Sequence, residues 1–251
     1  MTQYITMMLH KMLYPNLMIL SIFAYGAWTL GYMILIRQCF REKTYGVPMP
    51  ALAANIWWEV IFALNLMTWQ WPDLQDPVIV GKFTLSQGNL LWLVVDIILV
   101  VQLFMYGKQN QSNPFVKQYF YPLVIAVLLF SGIGLYHFCV YTYDVFGMLS
   151  GLMLAVYMGV QFIGLLFRRP DLRGLSYPFA WCKLVGNLAA TLWTIGWLPA
   201  QFEAGAPAPG GIPGPPRWDL LLFFLVLIPI LDSLYIFLLR RWRKALAAGH
   251  V

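Results

Sequence analysis

Charge is what this sequence has least of. Of 251 residues only 10% are Asp, Glu, Lys or Arg, and mean hydropathy is +0.69; a soluble domain carries roughly a quarter charged residues. So few charges cannot clothe a water-facing surface, so a soluble globular protein is excluded. Cysteine is almost as scarce. Cys139 and Cys182 fall in apolar runs and Cys39 in a basic loop, with neither a disulfide framework nor zinc-ligand spacing. Repeats of fixed period are absent. The one low-complexity tract is "PAQFEAGAPAPGGIPGPPRWD", whose Pro and Gly mark a flexible linker rather than a catalytic loop. A small-residue cleavage site is also missing near the N-terminus, so the first apolar run, preceded by His10 and Lys11, is read as retained.

What is there in quantity is hydrocarbon: 61% of residues are hydrophobic. Apolar stretches of roughly 20 residues, enough to cross a bilayer as a helix, run over 16–36, 50–69, 89–106, 119–141, 145–167, 177–198 and 218–239. The expectation is an all-α, polytopic bundle of seven transmembrane helices forming a single domain over 1–251. Short connections make successive helices antiparallel neighbours. Gly151, Gly159, Gly186 and Pro229 inside the spans suit close helix approach or kinks. Basic residues divide by side. Arg37, Arg41, Lys43, Lys108, Lys117, Arg168, Arg169, Arg173, Arg240, Arg241, Arg243 and Lys244 share one side, against Lys11, Lys82 and Arg217 on the other. The positive-inside rule then puts the C-terminus in the cytosol and the N-terminus outside or in a lumen. This asymmetry also accounts for the net charge of +6, leaving no case for a nucleic-acid partner.

Four charged side chains interrupt the apolar runs: Glu59, Asp96, Lys183 and Asp232. Each costs roughly 2.5 to 3.5 kcal/mol or more at a bilayer centre, which makes function the default explanation. At 1.5 Å rise per residue they lie roughly 9 to 15 Å from the cytosolic ends of their helices. They are expected in one layer that opens toward the cytosol. Asn55 and Glu59 share a helix face, as do Trp92 and Asp96, and Lys183 and Asn187. Pro229, three residues before Asp232, removes a donor and widens room there, and Tyr235 follows by three. A plainer arrangement competes, in which Asp96 and Lys183 pair to lock two helices. Trp69, Tyr106, Tyr177 and Trp197 at span ends suit the membrane interface, whereas Trp58, Trp92, Trp181 and Tyr235 lie deeper and either line a pocket or pack.

Burial in hydrocarbon disfavours the charged form of a carboxyl, so a residue such as Glu59 can persist as a neutral acid and donate a proton. Aromatic walls suit an apolar substrate and favour a cation over an anion. A second carboxylate can orient that acid or face the developing cation. Ionisation of a diphosphate is not expected, because the aspartate-rich magnesium motif it needs is missing; "DLQD" at 73–76 sits in a connection on the opposite side.

Three stretches now carry a resemblance. "YGVPMPALAANIWWEV", "RGLSYPFAWCKLVGN" and "ILDSLYIFLL" resemble, in order and helix placement, signatures of the integral-membrane terpene cyclases of fungal meroterpenoid and bacterial indole-sesquiterpenoid biosynthesis. The likeness covers essentially the whole chain. It implies that Glu59 and Asp232 are the catalytic pair, with Glu59 protonating a terminal epoxide or alkene of a prenylated substrate, a farnesyl or epoxyfarnesyl meroterpenoid or indole. Internal double bonds then close onto the cation and proton loss ends the cascade. Asn55, Trp58, Trp92, Asp96, Trp181, Lys183 and Tyr235 become supporting or pocket residues. The resemblance implies no metal and no cofactor; the partners are the lipophilic substrate and membrane lipid. The membrane is endoplasmic reticulum for a fungal chain and plasma membrane for a bacterial one. A proton-coupled transporter or channel is the alternative use of intramembrane carboxylates, although inverted repeats and paired broken helices are not evident. A retinal protein lacks its Schiff-base lysine on the last helix, and a purely structural protein remains a further reading.

Overall fold

The computed structural model describes residues 2–70, 78–80, 83–203 and 218–249. Helix α1 (Thr2–Leu13) runs through a 3-10 turn at Tyr14–Asn16, where Pro15 interrupts the hydrogen-bond ladder, into α2 (Leu17–Glu42). Lys43, at φ 50°, closes α2 by turning its N–H back onto Cys39 and Phe40 carbonyls. Cys39, expected in a loop, therefore sits in the last turn of α2 and is fully buried. Apolarity ends at Ile36, but helical bonding carries on through the charged residues after it.

Helix α3 (Met49–Ala63) opens with Pro48 and Pro50 in positions that need no intrahelical donor. It stops short of the expected span over 50–69. Asn65 adopts φ 51°, a conformation asparagine tolerates, and a separate turn, α4 (Leu66–Gln70), follows. Strands β1 (Val78–Val80) and β2 (Phe83–Thr84) make a short antiparallel pair, a minor exception to the all-α expectation. The rest is helical: α5 (Leu85–Tyr106), α6 (Pro114–Gln118), α7 (Phe120–Tyr141), α8 (Met148–Arg168), α9 (Tyr177–Glu203) and α10 (Trp218–Ala247). Asn113 caps α6 by accepting from the Phe115 and Val116 amides at 2.9 and 3.3 Å. At α8 the N-cap is Gly147, and Asp144, three residues before it, accepts from the first-turn amides of Leu149 and Ser150 at 3.0 and 2.6 Å. "DLQD" and most of the Pro/Gly-rich linker lie outside the described residues, while 199–203 at the linker's start continue α9.

Five described segments are long and apolar enough to cross a membrane: Met8–Glu42, Ser86–Tyr106, Phe120–Tyr141, Met148–Arg168 and Asp219–Ala247. Helix α3 is apolar but shorter. Their outer faces are bare hydrocarbon. Leu90, Val94, Ile97, Val101 and Met105 on α5, and Ile125, Leu129, Phe130 and Ile133 on α7, are exposed. In water such faces would aggregate, whereas lipid requires them. The protein is an integral membrane protein.

Inside, α2 packs on α9, α3 on α5 and α7, and α10 on α8 and α9. Glycines set the close approaches. A Cβ on Gly159 would meet Leu231 of α10 at 3.0 Å, and one on Gly186 would meet Trp28 of α2 at 2.6 Å. The larger core cluster, with Leu35, Leu52, Leu103, Phe162 and Phe179, fills the half nearer the basic residues. At that end the α2–α3 and α8–α9 connections are locked together. Buried Arg169 donates through Nη1 to the carbonyls of Tyr45 (2.5 Å) and Arg173 (2.7 Å) and stacks 4.1 Å from the Tyr45 ring. Gly174 donates its N–H to Glu42 Oε2 at 2.7 Å.

Candidate active site

The other half of the bundle encloses a cavity of about 160 Å³. Its walls are Ser21, Ala24, Tyr25, Trp28 and Tyr32 of α2, Asn55, Trp58 and Glu59 of α3, and Asn89 and Trp92 of α5. The α8 wall runs from Gly147 and Met148 to Met158, and the α9 wall includes Asn187, Thr191, Trp193 and Thr194. These residues lie where α2, α5 and α8 begin and α3 and α9 end, the end remote from the basic connections. The expected cytosolic opening is therefore corrected: counting depth along each helix locates the polar layer, but the large apolar side chains of the basic half close that side, and the space lies on the other.

Glu59 is 3% exposed and lines this cavity, and its Oε2 is buried without a hydrogen-bond partner among the described residues. One turn earlier Asn55 uses both amide hydrogens, donating to Asp96 Oδ2 at 2.5 Å and to Tyr32 Oη at 3.3 Å. Asp96 is fully buried behind Asn55 and outside the lining. The α3 face read from the spacing thus becomes a short polar chain, Tyr32–Asn55–Asp96, beside the acid. The plainer arrangement, with Asp96 paired to Lys183, does not occur. Lys183 forms its ion pair with Asp232 Oδ1, and Asn187 donates to Asp232 Oδ2 at 2.8 Å. The reason is helix packing: α9 lies against α10, while α5 lies against α3. The four charged residues therefore form two groups, Glu59 with Asp96 and Lys183 with Asp232.

Aromatic rings make up much of the remaining wall. Trp92 stacks on Tyr25 with centroids 4.4 Å apart and donates to Thr29 Oγ1 at 3.2 Å. Trp58 donates its indole N–H to Ser150 Oγ at 3.0 Å and leans on Phe62 at 4.9 Å. Of the deep aromatics, Trp58 and Trp92 line the cavity and two others do not. Trp181 faces outward at 46% exposure, because its position on α9 is turned away from the neighbouring helices. Tyr235 is buried in the core against Phe162, 5.5 Å between centroids, beyond the cavity's reach. Lys183 and Asp232 are likewise buried behind Asn187 and do not line it.

One stripe, and the two threonines that extend another from Asn187, escaped the sequence reading. Tyr25, Trp28 and Tyr32 recur at three and four residues along α2, and Asn187, Thr191 and Thr194 do so along α9. Helical spacing alone would have exposed both. No group of three or more His, Cys, Asp or Glu suited to a metal occurs among the described residues.

Residues 10–203 match the family described as Pyr4-like transmembrane terpene cyclases. Among curated relatives, terpene cyclase cle7 of Aspergillus versicolor is 29% identical over 185 residues, covering 72% of this chain and 71% of that protein. Terpene cyclase macJ of Penicillium terrestre is 22% identical over 192 residues, covering 70% of this chain and 66% of that one. The Pyr4-family terpene cyclase mfmH of Annulohypoxylon moriforme is 32% identical over a shorter stretch of 92 residues, 36% of this chain and 33% of its own length. No solved structure matches the chain. The matched region contains every residue that lines the cavity, and it ends before α10 and Asp232. On the extent of that match, the chain belongs to the Pyr4-like transmembrane terpene cyclases.

Proposed function

We propose that the protein cyclises a prenylated substrate, with Glu59 as the proton donor that starts the reaction. The observation that carries this reading is a buried carboxyl, one oxygen of which has no partner among the described residues, at the wall of a largely apolar, aromatic-lined cavity. Glu59 protonates a terminal epoxide oxygen, opening its C–O bond, or a terminal alkene carbon. Internal alkenes attack the cation in turn, each new C–C bond moving the charge inward. Loss of a proton to a base ends the cascade, so the net change is an isomerisation and the carboxyl is restored when that proton returns. Tyr25, Trp28, Tyr32, Trp58 and Trp92 present ring faces to the passing charge. The substrate class is a farnesyl or epoxyfarnesyl phenol or indole, and the protein needs no metal for a proton-initiated step.

The same reading takes seven helices, α2, the shorter α3, α5, α7, α8, α9 and α10, as membrane spans, with the basic connections in the cytosol. The relatives are fungal, which favours the endoplasmic reticulum. The test is turnover by membranes carrying the protein, offered an epoxyfarnesylated phenol and a farnesyl-indole. Glu59→Gln keeps the shape and removes the acid, and should lower kcat about 10²–10⁴-fold. Full cyclisation by that variant would remove Glu59 from the role. An inactive parent across a broad prenyl panel would turn the reading toward proton-coupled transport through the same carboxylates.

A further inference from the structure

Asp232 is the second carboxylate that the resemblance places in the chemistry, yet the cavity stops short of it. It is 1% exposed, and both of its oxygens are engaged: Oδ1 by Lys183, which is equally buried, and Oδ2 by Asn187 Nδ2 at 2.8 Å. An anion neutralised and hydrogen-bonded in this way has little left to offer a substrate beyond the neighbour it holds.

That neighbour, Asn187, does line the cavity. Its amide is directional: Nδ2 donates one hydrogen to Asp232 Oδ2, which turns the nitrogen end of the amide toward α10 and leaves the opposite end, the carbonyl oxygen Oδ1, for the cavity. The next turns of α9 repeat the polarity. Thr191 donates its hydroxyl to the Asn187 carbonyl at 2.8 Å, and Thr194 donates to the Ala190 carbonyl at 2.9 Å. A threonine hydroxyl has one hydrogen, so once it bonds the backbone only lone pairs remain. Spacing of four and three puts all three side chains on one helix face. Along this row the wall offers acceptor oxygens.

We infer that this α9 row is the cation-stabilising wall of the cavity, and that Asp232 is a positioning residue acting through Asn187 rather than a group in contact with the reacting atoms. The inference rests on the reading that Glu59 starts a cationic cyclisation. A fixed carbonyl dipole in a water-poor site favours a positive centre without reorganising when charge appears, so its effect belongs to the transition state. Lys183 holds Asp232, and Asp232 holds the amide. Without that hold, the amide can turn its N–H₂ inward, and an attractive dipole becomes a repulsive one.

Two variants separate the roles without stranding a buried charge. Asn187→Leu keeps the volume and removes the dipole. Lys183→Gln with Asp232→Asn replaces the ion pair by two amides: the introduced Gln carbonyl accepts from the introduced Asn, whose own carbonyl still receives Asn187 Nδ2. Turnover of the same prenylated panel is measured, with thermal unfolding in detergent as the folding control. Asn187→Leu should lose about 10²–10³-fold in kcat, with KM changed by less than about threefold. The amide pair should stay within about tenfold of the parent, since it preserves the orientation of Asn187. The inference is overturned by parent-like kcat in Asn187→Leu, which decides alone if the amide pair does not fold, or by a folded amide pair as inactive as Glu59→Gln. A parent without turnover on the panel overturns the cyclase reading and this wall with it, whereas an active parent beside an unimpaired Asn187→Leu overturns the wall only.

Discussion

Two glycines one turn apart, both against the same indole, make a sharp test of how the cavity is shaped. Gly147 precedes α8 at φ 71°, and a Cβ there would lie 2.7 Å from the Phe62 ring and 2.8 Å from Trp58. Gly151 sits inside α8 with ordinary helical angles, and its Cβ would lie 3.3 Å from Trp58. Gly147→Ala therefore incurs two penalties. Left-handed backbone costs an L-residue roughly 1–2 kcal/mol, and forcing a methyl into packed rings costs roughly 1–3 kcal/mol. Together that is about 2–5 kcal/mol, or a fall of about 4–20 °C in unfolding midpoint at roughly 2–4 °C per kcal/mol for a chain of this size. Gly151→Ala gains roughly 0.5–1 kcal/mol from reduced chain entropy and needs only a small shift of the indole, so its midpoint should move by about 3 °C or less in either direction. Differential scanning of the purified proteins in one detergent measures both. Product analysis adds a second readout: the Gly147 variant displaces Trp58 beside Glu59 and should change the ratio of cyclised products, while the Gly151 variant should not. Equal midpoints for the two variants, or an unchanged product ratio in Gly147→Ala, would refute the argument.

Ser150→Ala removes the hydroxyl that accepts from the half-buried Trp58 indole N–H; unfolding in detergent should show a loss of roughly 0.5–1.5 kcal/mol, with Ser150→Thr, which keeps the hydroxyl, closer to the parent. Arg169→Met breaks the lock between connections, stranding the carbonyls of Tyr45 and Arg173. Its midpoint should fall by an amount equivalent to roughly 2–3 kcal/mol, and Arg169→Lys should not restore it, because one ammonium cannot reproduce both the ring stacking and the planar bonding.

Much of the bundle is written in runs of hydrocarbon, because lipid allows so few ways to satisfy a backbone. Where apolarity and helical bonding part company, the runs mislead. α2 continues six residues past Ile36 through Arg37 to Glu42, and α3 breaks at Asn65 inside an unbroken apolar run. The site divides in the same way. Glu59, Asn55, Trp58 and Trp92 were legible because a polar group in lipid needs a reason and helical spacing says which neighbours share its face. Pairing was not, since Asp96 and Asp232 lie at similar depth and only the order of helices around the bundle decides which one Lys183 meets. The α2 aromatics and the α9 threonines were overlooked for a different reason. Such residues in membrane helices commonly anchor at the interface or bond their own backbone, and Thr191 and Thr194 do bond their own backbone while lining the cavity as well.

The stretches that resemble the family most strongly begin far from the cavity. "YGVP" and "RGLS" meet at the opposite end of the bundle, where Arg169 bonds the Tyr45 carbonyl, Glu42 receives the Gly174 amide, and a Cβ on Gly174, at φ 76°, would lie 2.7 Å from that same carbonyl. From this lock α3 and α9 run in the same direction. Glu59 stands eleven residues beyond Pro48, and Asn187 stands eleven beyond Ser176. At 1.5 Å per residue both lie about 16 Å from the lock, the acid on one wall and the amide on the other. A rigid joint between two connections thus sets the level at which Glu59 and the α9 polar row stand along the cavity, so residues of the lock act on the geometry of the cavity without lining it.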